Sequence, residues 1–247
     1  MRYLKTNNRN WRKLCKGEIQ VEQLQIDINK EGVRDLEKPI LFNTEMVKSI
    51  LEGRKWCTRR IAKTLKDVTE ITHGDFKWSY NQIWMNDETL MLHAPYDKGD
   101  ILYVRETWMM QSMSNFDKRA KFLFKAEPNE KLKEVVLSSD RYEDLIKYSY
   151  KKGWQPSLFM PKEAARIFLK VTNVRVERLK NMTTKDVLKE GIYSEIFENY
   201  FGESKSKLMF EVWENLWNST LKKDQLEEYG WNANPWVWVI EFERIEK

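Results

Sequence analysis

The sequence predicts an α+β fold, a twisted mixed or largely antiparallel sheet flanked by a few helices. Period-two alternation is the first sign: Trp236, Trp238, Ile240 and Phe242 oppose Val237, Val239, Glu241 and Glu243 in one late segment. Helical spacing is the second, strongest in Leu208, Met209, Val212, Trp213, Leu216 and Trp217, which form one apolar face. A chain of 247 residues that is 41% hydrophobic supplies a sizeable core, and reads as one elaborated domain over residues 38–247.

Taken in order, residues 1–37 form a basic arm. Arg2, Lys5, Arg9, Arg12, Lys13 and Lys16 lie in it without an apolar core, so it reads as neither a signal peptide nor a membrane span, and a cytoplasmic protein is expected. Val21 to Asn29 fits a short helix or a strand equally. Lys38 to Phe42 reads as a strand feeding a helix from Thr44 to Glu52, with Asn43 or Thr44 as cap, Glu45 in the first turn and Gly53 just past the end. A strand from Thr58 to Lys63 follows. Residues 64–95 carry isolated aromatics between polar turns and read as inserted hairpins. Lys98-Gly99-Asp100 is a turn before a buried strand from Ile101 to Trp108, whose end carries Arg105 and Glu106. Phe122 to Ala126 reads as a strand, and the acidic, lysine-rich stretch 128–153 as an inserted helix.

Pro156 to Arg166 reads as a loop with a short helix. Ile167 to Leu179 alternates, with a shift of phase at Thr172-Asn173, and predicts one long bent strand. Thr183, with Asp186 three residues on, predicts a capped helix that ends at Glu190-Gly191. Glu190 there faces the negative pole of the helix, which is unfavourable for a carboxylate unless another interaction offsets it. The aromatics of the Leu208 to Trp217 helix read as packing against the core, within a third insertion at 192–230. The terminal strand from Trp236 to Ile245 closes the sheet.

Lysines and arginines number 43 against 38 acids, a net charge of +5 that mildly favours a polyanionic partner and argues against a purely electrostatic binder. Cys15, Cys57, His73 and His93 show no metal-ligand spacing, so neither a structural metal nor a cofactor is expected. From Arg54 to Lys66 there are six basic residues and no acid. Such a run suits a bound anion or a nucleobase, although charge runs also serve simply as solvated or phosphate-facing surface. Lys55 amid Arg54, Arg59 and Arg60 is a candidate base of depressed pKa, and Thr58 a nucleophile in need of one. Strand alternation sends positions 55 and 58 to opposite faces, so their meeting requires a bend, which Gly53 makes available.

Four separated segments resemble the ASCH domain family of the PUA-like superfamily, in particular its longer phage and prophage versions. They are Pro39 to Arg60 with Gly-Arg-Lys-x-x-Thr-Arg-Arg, Lys98 to Trp108 with Gly-Asp-x-Leu-x-Val-Arg-Glu-Thr-Trp, Met160 to Gly191, and Asn232 to Ile245. The resemblance implies a PUA-like β-barrel with flanking helices and inserted segments. Small members look like N4-acetylcytidine amidohydrolases that use a lysine, a threonine three residues later and a glutamate at a helix end, which fall on Lys55, Thr58 and Glu190. In that scheme Thr58 attacks or orients water, Lys55 takes its proton and Glu190 protonates the leaving amine. Arg54, Arg59, Arg60, Arg105 and Glu106 are the expected binding residues of the same cleft, for a nucleic acid or a modified nucleoside. Trp56 departs from the family, which more often has a small polar residue there, and the insertions make this chain much larger. RNA cleavage, or a non-catalytic phage structural or host-interaction role on the same scaffold, are the alternatives.

Overall fold

The computed structural model describes residues 37–63, 77–79, 82–84, 92–127, 132–193 and 195–247. The basic arm through residue 36, Val21 to Asn29 within it, His73, Cys15 and most of the 64–95 insertion lie outside the described residues. The α+β class is what the structure has: a five-stranded mixed sheet, two three-stranded antiparallel sheets and several helices.

The five-stranded sheet carries the site. Its strands are β1 (Lys38–Leu41), β2 (Cys57–Ile61), β6 (Ile101–Arg105), β10 (Phe168–Arg178) and β11 (Trp236–Ile245), ordered β1-β6-β10-β11-β2. β1 runs parallel to β6, and the other pairings are antiparallel. Pro39 lacks an amide donor and sits on the edge strand, where a missing ladder bond costs least. β10 and β11 form the longest pair, and the register shifts between Val171 and Asn173, at the change of phase read from the sequence. Between β1 and β2 the chain forms α1 (Thr44–Leu51), whose N-terminus is capped by the Asn43 side chain on Met46 N–H.

The sheet is open at β1 and β2. No ladder joins these two edges among the described residues, so the closed barrel implied by the resemblance is not shown. A side chain spans the gap instead: Arg60 Nη2 on β2 donates to the Leu41 carbonyl of β1 at 2.9 Å.

Both faces of β11 are covered, which explains its apolar residues on alternate sides. Trp238, Ile240 and Phe242 join Ile40, Val47, Ile50, Leu102, Val104 and Leu169 in a core under α1. Val237 and Val239 face a second core with Val187 of α3 (Thr184–Lys189) and Met209, Trp213 and Trp217 of α4 (Gly202–Ser219). Full burial of a side chain such as Leu102 or Val239 contributes roughly 1.5–3 kcal/mol.

Two readings are corrected. The strand expected from Ile101 to Trp108 breaks at Glu106-Thr107, and β7 (Trp108–Met113) starts another sheet with β8 (Arg119–Phe124) and β9 (Lys133–Val136). The cause is Glu106, whose buried carboxylate meets Arg166 in a two-pronged pair of 2.9 and 3.1 Å while Trp108 turns into a third core with Phe122 and Phe124. The stretch 128–153 is not one helix. It forms β9 and then α2 (Ser139–Ser149), capped by Ser138. Of the 64–95 insertion, β3 (Lys77–Ser79), β4 (Gln82–Trp84) and β5 (Leu92–His93) pair as hairpins in the third sheet.

Candidate functional site

The site is built where the end of α1 meets the end of α3. After Gly53, at φ +71°, the amides of Arg54 and Lys55 both donate to the Ser49 carbonyl, at 2.8 and 3.0 Å. The chain then leaves α1 extended and is pinned on both sides. Lys55 bridges Glu190, Trp56 N–H donates to the Lys189 carbonyl, and the Trp56 carbonyl accepts from Phe242 N–H. On the other side α3 has only six residues and begins with the Thr183–Asp186 capping box. It ends at Glu190, and Gly191 follows at φ +86°. A Cβ on Gly191 would lie 2.7 Å from Ser49 Cβ and 2.8 Å from Lys55 Cβ, so the close approach of the two segments requires glycine.

That approach puts charges together out of water. Lys55 Nζ, whose side chain is fully buried, lies 2.7 Å from Glu190 Oε2 and 2.9 Å from the Glu190 carbonyl. Arg59 Nη1 takes Glu190 Oε1 at 3.0 Å, and its Nη2 takes Glu177 Oε1 at 2.8 Å. Both oxygens of Glu190 therefore hold a cation, and this is the offset that its place at the helix end demands. Burial alone would lower the pKa of Arg59, but Glu190 and Glu177 raise it above its ordinary value, and it remains a cation. Burial pushes the neighbouring Cys57 thiol up, so it stays protonated and inert.

The cation cluster expected around Lys55 is not what the chain forms. The nearest charge to Lys55 is a carboxylate, while Arg54 turns to Glu52 and to the Gly191 carbonyl. Thr58 is reached from elsewhere: Arg60 Nη1 donates to its Oγ1 at 2.8 Å. Phe42 knits these groups together. Its ring lies 5.6 Å from Lys55 Nζ and 5.4 Å from the Arg60 guanidinium.

Beside this network is a cleft of about 550 Å³. Thr58, Arg59, Arg60, Lys63 and Glu190 are the polar and charged groups of its lining beside β2, where Leu41, Met46 and Ile61 also stand, and Trp213, Leu216 and Trp217 of α4 line it with Ser219 and Thr220. Lys55 is not in the lining; it sits behind Glu190. β2 is a sheet edge, and its even-numbered residues face β11, since Phe242 N–H reaches the Trp56 carbonyl and Ala62 N–H reaches the Trp236 carbonyl. By the alternation of an antiparallel ladder, the backbone groups of Arg59 and Ile61 point to the open edge. Backbone groups of the β2 edge, a hydroxyl, a carboxylate, cations and two tryptophan rings thus border one cleft, with Thr58, Arg59, Glu190, Trp213 and Trp217 themselves buried.

The structure brings together Lys55, Thr58, Arg59, Arg60 and Glu190. It does not bring Arg105 and Glu106 to them. Arg105 donates to the Leu158 carbonyl, and Glu106 belongs to the Arg166–Glu127 ion pair, both away from the cleft lining. Burial raises the pKa of Glu106, against the lowering effect of Arg166. Sequence reasoning missed the cleft role of Trp213, Leu216 and Trp217. They pack as expected, but periodicity cannot tell which buried aromatics also wall a cavity. Lys63 was visible only as part of the basic run.

Among the described residues no group of three or more His, Cys, Asp or Glu side chains is arranged to hold a metal ion, and no helix is long and apolar enough to cross a membrane. Comparison of the chain with family models, curated proteins and solved structures gives no match.

Proposed function

We propose that the chain binds a nucleobase-bearing ligand in the cleft between β2 and α4 and hydrolyses the amide of an N4-acylated, cytidine-type base there. One observation carries the reading: a threonine hydroxyl and a carboxylate gripped by two cations, both buried, border the same cleft. Its volume lies within the usual range for small-ligand sites, and the two tryptophan rings at its border suit a flat base. The PUA-like barrel belongs to the same proposal, with the Arg60–Leu41 contact standing at the seam where a barrel would close.

The geometry revises the roles that the family resemblance implies. Lys55 Nζ is engaged by Glu190, so it positions the carboxylate and does not take the proton of Thr58. Arg60, donating to Thr58 Oγ1, stabilises negative charge as it develops on that oxygen. Thr58 Oγ1 attacks the acyl carbon and its proton passes to Glu190. The carbon–nitrogen bond then breaks, and Glu190 returns the proton to the departing N4 amine. Water repeats the sequence on the threonine ester and releases the acid.

The test is release of cytidine from N4-acetylcytidine and longer acyl analogues. Thr58→Val and Glu190→Gln are expected to lower turnover by about 10²–10⁴. Turnover surviving in both variants would end the chemical proposal. A binding-only reading draws on the mutual satisfaction of Lys55, Glu190 and Arg59, which also suits a staple between β2 and α3. It predicts no turnover by the wild type and nucleic-acid affinity that falls steeply with salt.

A further inference from the structure

A second concavity, of about 300 Å³, is walled by the same two chain segments as the cleft. Arg54, Trp56, Leu188, Lys189, Ile192 and Tyr193 line it, while Thr58 to Ile61 and Glu190 of those segments line the cleft. Trp56 is 58% exposed, unusual for the side chain with the most apolar area to hide, and Tyr193 and Leu188 beside it are exposed as well. The Trp56 ring is not loose: its indole N–H donates to the Gly53 carbonyl, and its backbone is held on both sides by Lys189 and Phe242. A tethered, outward indole is a flat platform that has already given up its rotational freedom.

Charge decides what fits on it. The lining holds two cations and no acid. Arg54 is engaged by Glu52 and the Gly191 carbonyl and frames the groove, whereas the Lys189 side chain is 44% exposed and its ion pair with Glu241 is long, at 3.8 Å. An aromatic platform with a cation at its side is the arrangement that binds single-stranded nucleic acid, base on ring and phosphate on ammonium.

Resting on the nucleobase reading of the cleft, we propose that this groove holds the nucleotide next to the one whose base enters the cleft. The preferred ligand is then a single-stranded polynucleotide rather than a free nucleoside. Trp56 stacks the neighbouring base, and Lys189 meets its phosphate.

The experiment compares the affinity of N4-acetylcytidine with that of tetranucleotides carrying the same base internally, in ribose and deoxyribose forms, for wild type, Trp56→Ala, Trp56→Phe and Lys189→Ala. The wild type should bind the tetranucleotide more tightly than the nucleoside. Trp56→Ala should weaken the tetranucleotide about tenfold and leave the nucleoside unchanged, with Trp56→Phe recovering most of the loss. Lys189→Ala should reduce the salt slope by about one. Equal affinity for nucleoside and tetranucleotide, or a Trp56→Ala variant that binds the tetranucleotide as the wild type does, overturns the groove proposal while leaving the cleft reading in place. Tetranucleotide binding that depends on Trp56 but is matched by the unacylated tetranucleotide supports the groove and shows that the cleft does not recognise the N4-acyl group. A difference between the ribose and deoxyribose forms assigns the polymer.

Discussion

Glu190 serves two cations at once, and removing it is a different act from removing either of them. Without the Glu190 carboxylate, Lys55 keeps no anion, only a backbone carbonyl and the Phe42 ring, while Arg59 keeps Glu177. Stripping the partner from a buried charge typically costs about 3–5 kcal/mol, so Glu190→Ala should approach that range. Lys55→Ala should cost less, because Glu190 retains Arg59. The double variant should cost less than the sum of the two, and urea unfolding of all three measures the coupling. Additive losses would show that the pair is not coupled. At this scale the sequence was partly legible. Glu190 stood out because a carboxylate at a helix C-terminus needs an offset, and Lys55 and Thr58 because a lysine among cations and a nearby hydroxyl suit a base and its nucleophile, a pairing that the family resemblance also implies. The partnership of Lys55 with Glu190 was not legible, since 135 positions separate them and no local rule spans that distance.

The six-residue helix α3 is too short to persist by itself, so its cap and its packing decide whether Glu190 is presented at all. Thr183→Ala should cost about 1 kcal/mol. Asp186 ties the helix to pH. Partial burial acts to raise its pKa, but hydrogen bonds from Thr183 and the charges of Arg59 and Arg175 bring the net shift below the ordinary value of 3.8. A carboxylate whose pKa is lower folded than unfolded stabilises the fold above the unfolded value, and that contribution disappears as pH falls through the folded one. Asp186→Asn should therefore flatten the acid limb of thermal stability below about pH 4 and leave its slope near neutrality unchanged. Glu106 acts in the opposite sense. Its raised pKa makes its contribution greatest below 4.5 and smaller as pH climbs through the folded value. The caps at Asn43 and Thr183 were readable because capping is local chemistry. The break at Glu106 was not, because it depends on Arg166, 60 residues away.

Across the whole molecule, the α+β class followed from periodicity, but the two-sided burial of β11 and the strand order did not: the terminal strand, expected to close the sheet, lies inside it between β10 and β2. The parallel pairing of β1 with β6 and the edge position of β2 depend on which distant segments win the central places. The separate cores give a further expectation. Phe122 is fully buried in the β7–β9 core, apart from the residues that line the cleft. Phe122→Ala should lower unfolding stability by about 3–5 kcal/mol while the folded protein binds cleft ligands with unchanged affinity. A parallel loss of affinity would show that the two cores are not independent. The distance along the chain between the halves of the site also has a meaning in time. At about 5–20 residues per second, the ribosome adds the 135 residues from Lys55 to Glu190 in roughly 7–27 seconds. Throughout that interval Lys55 and Arg59 have been made and their carboxylate has not. β11, which pairs with both β2 and β10, is made later still. The proposed cleft is therefore incomplete on the nascent chain until β11 has been made.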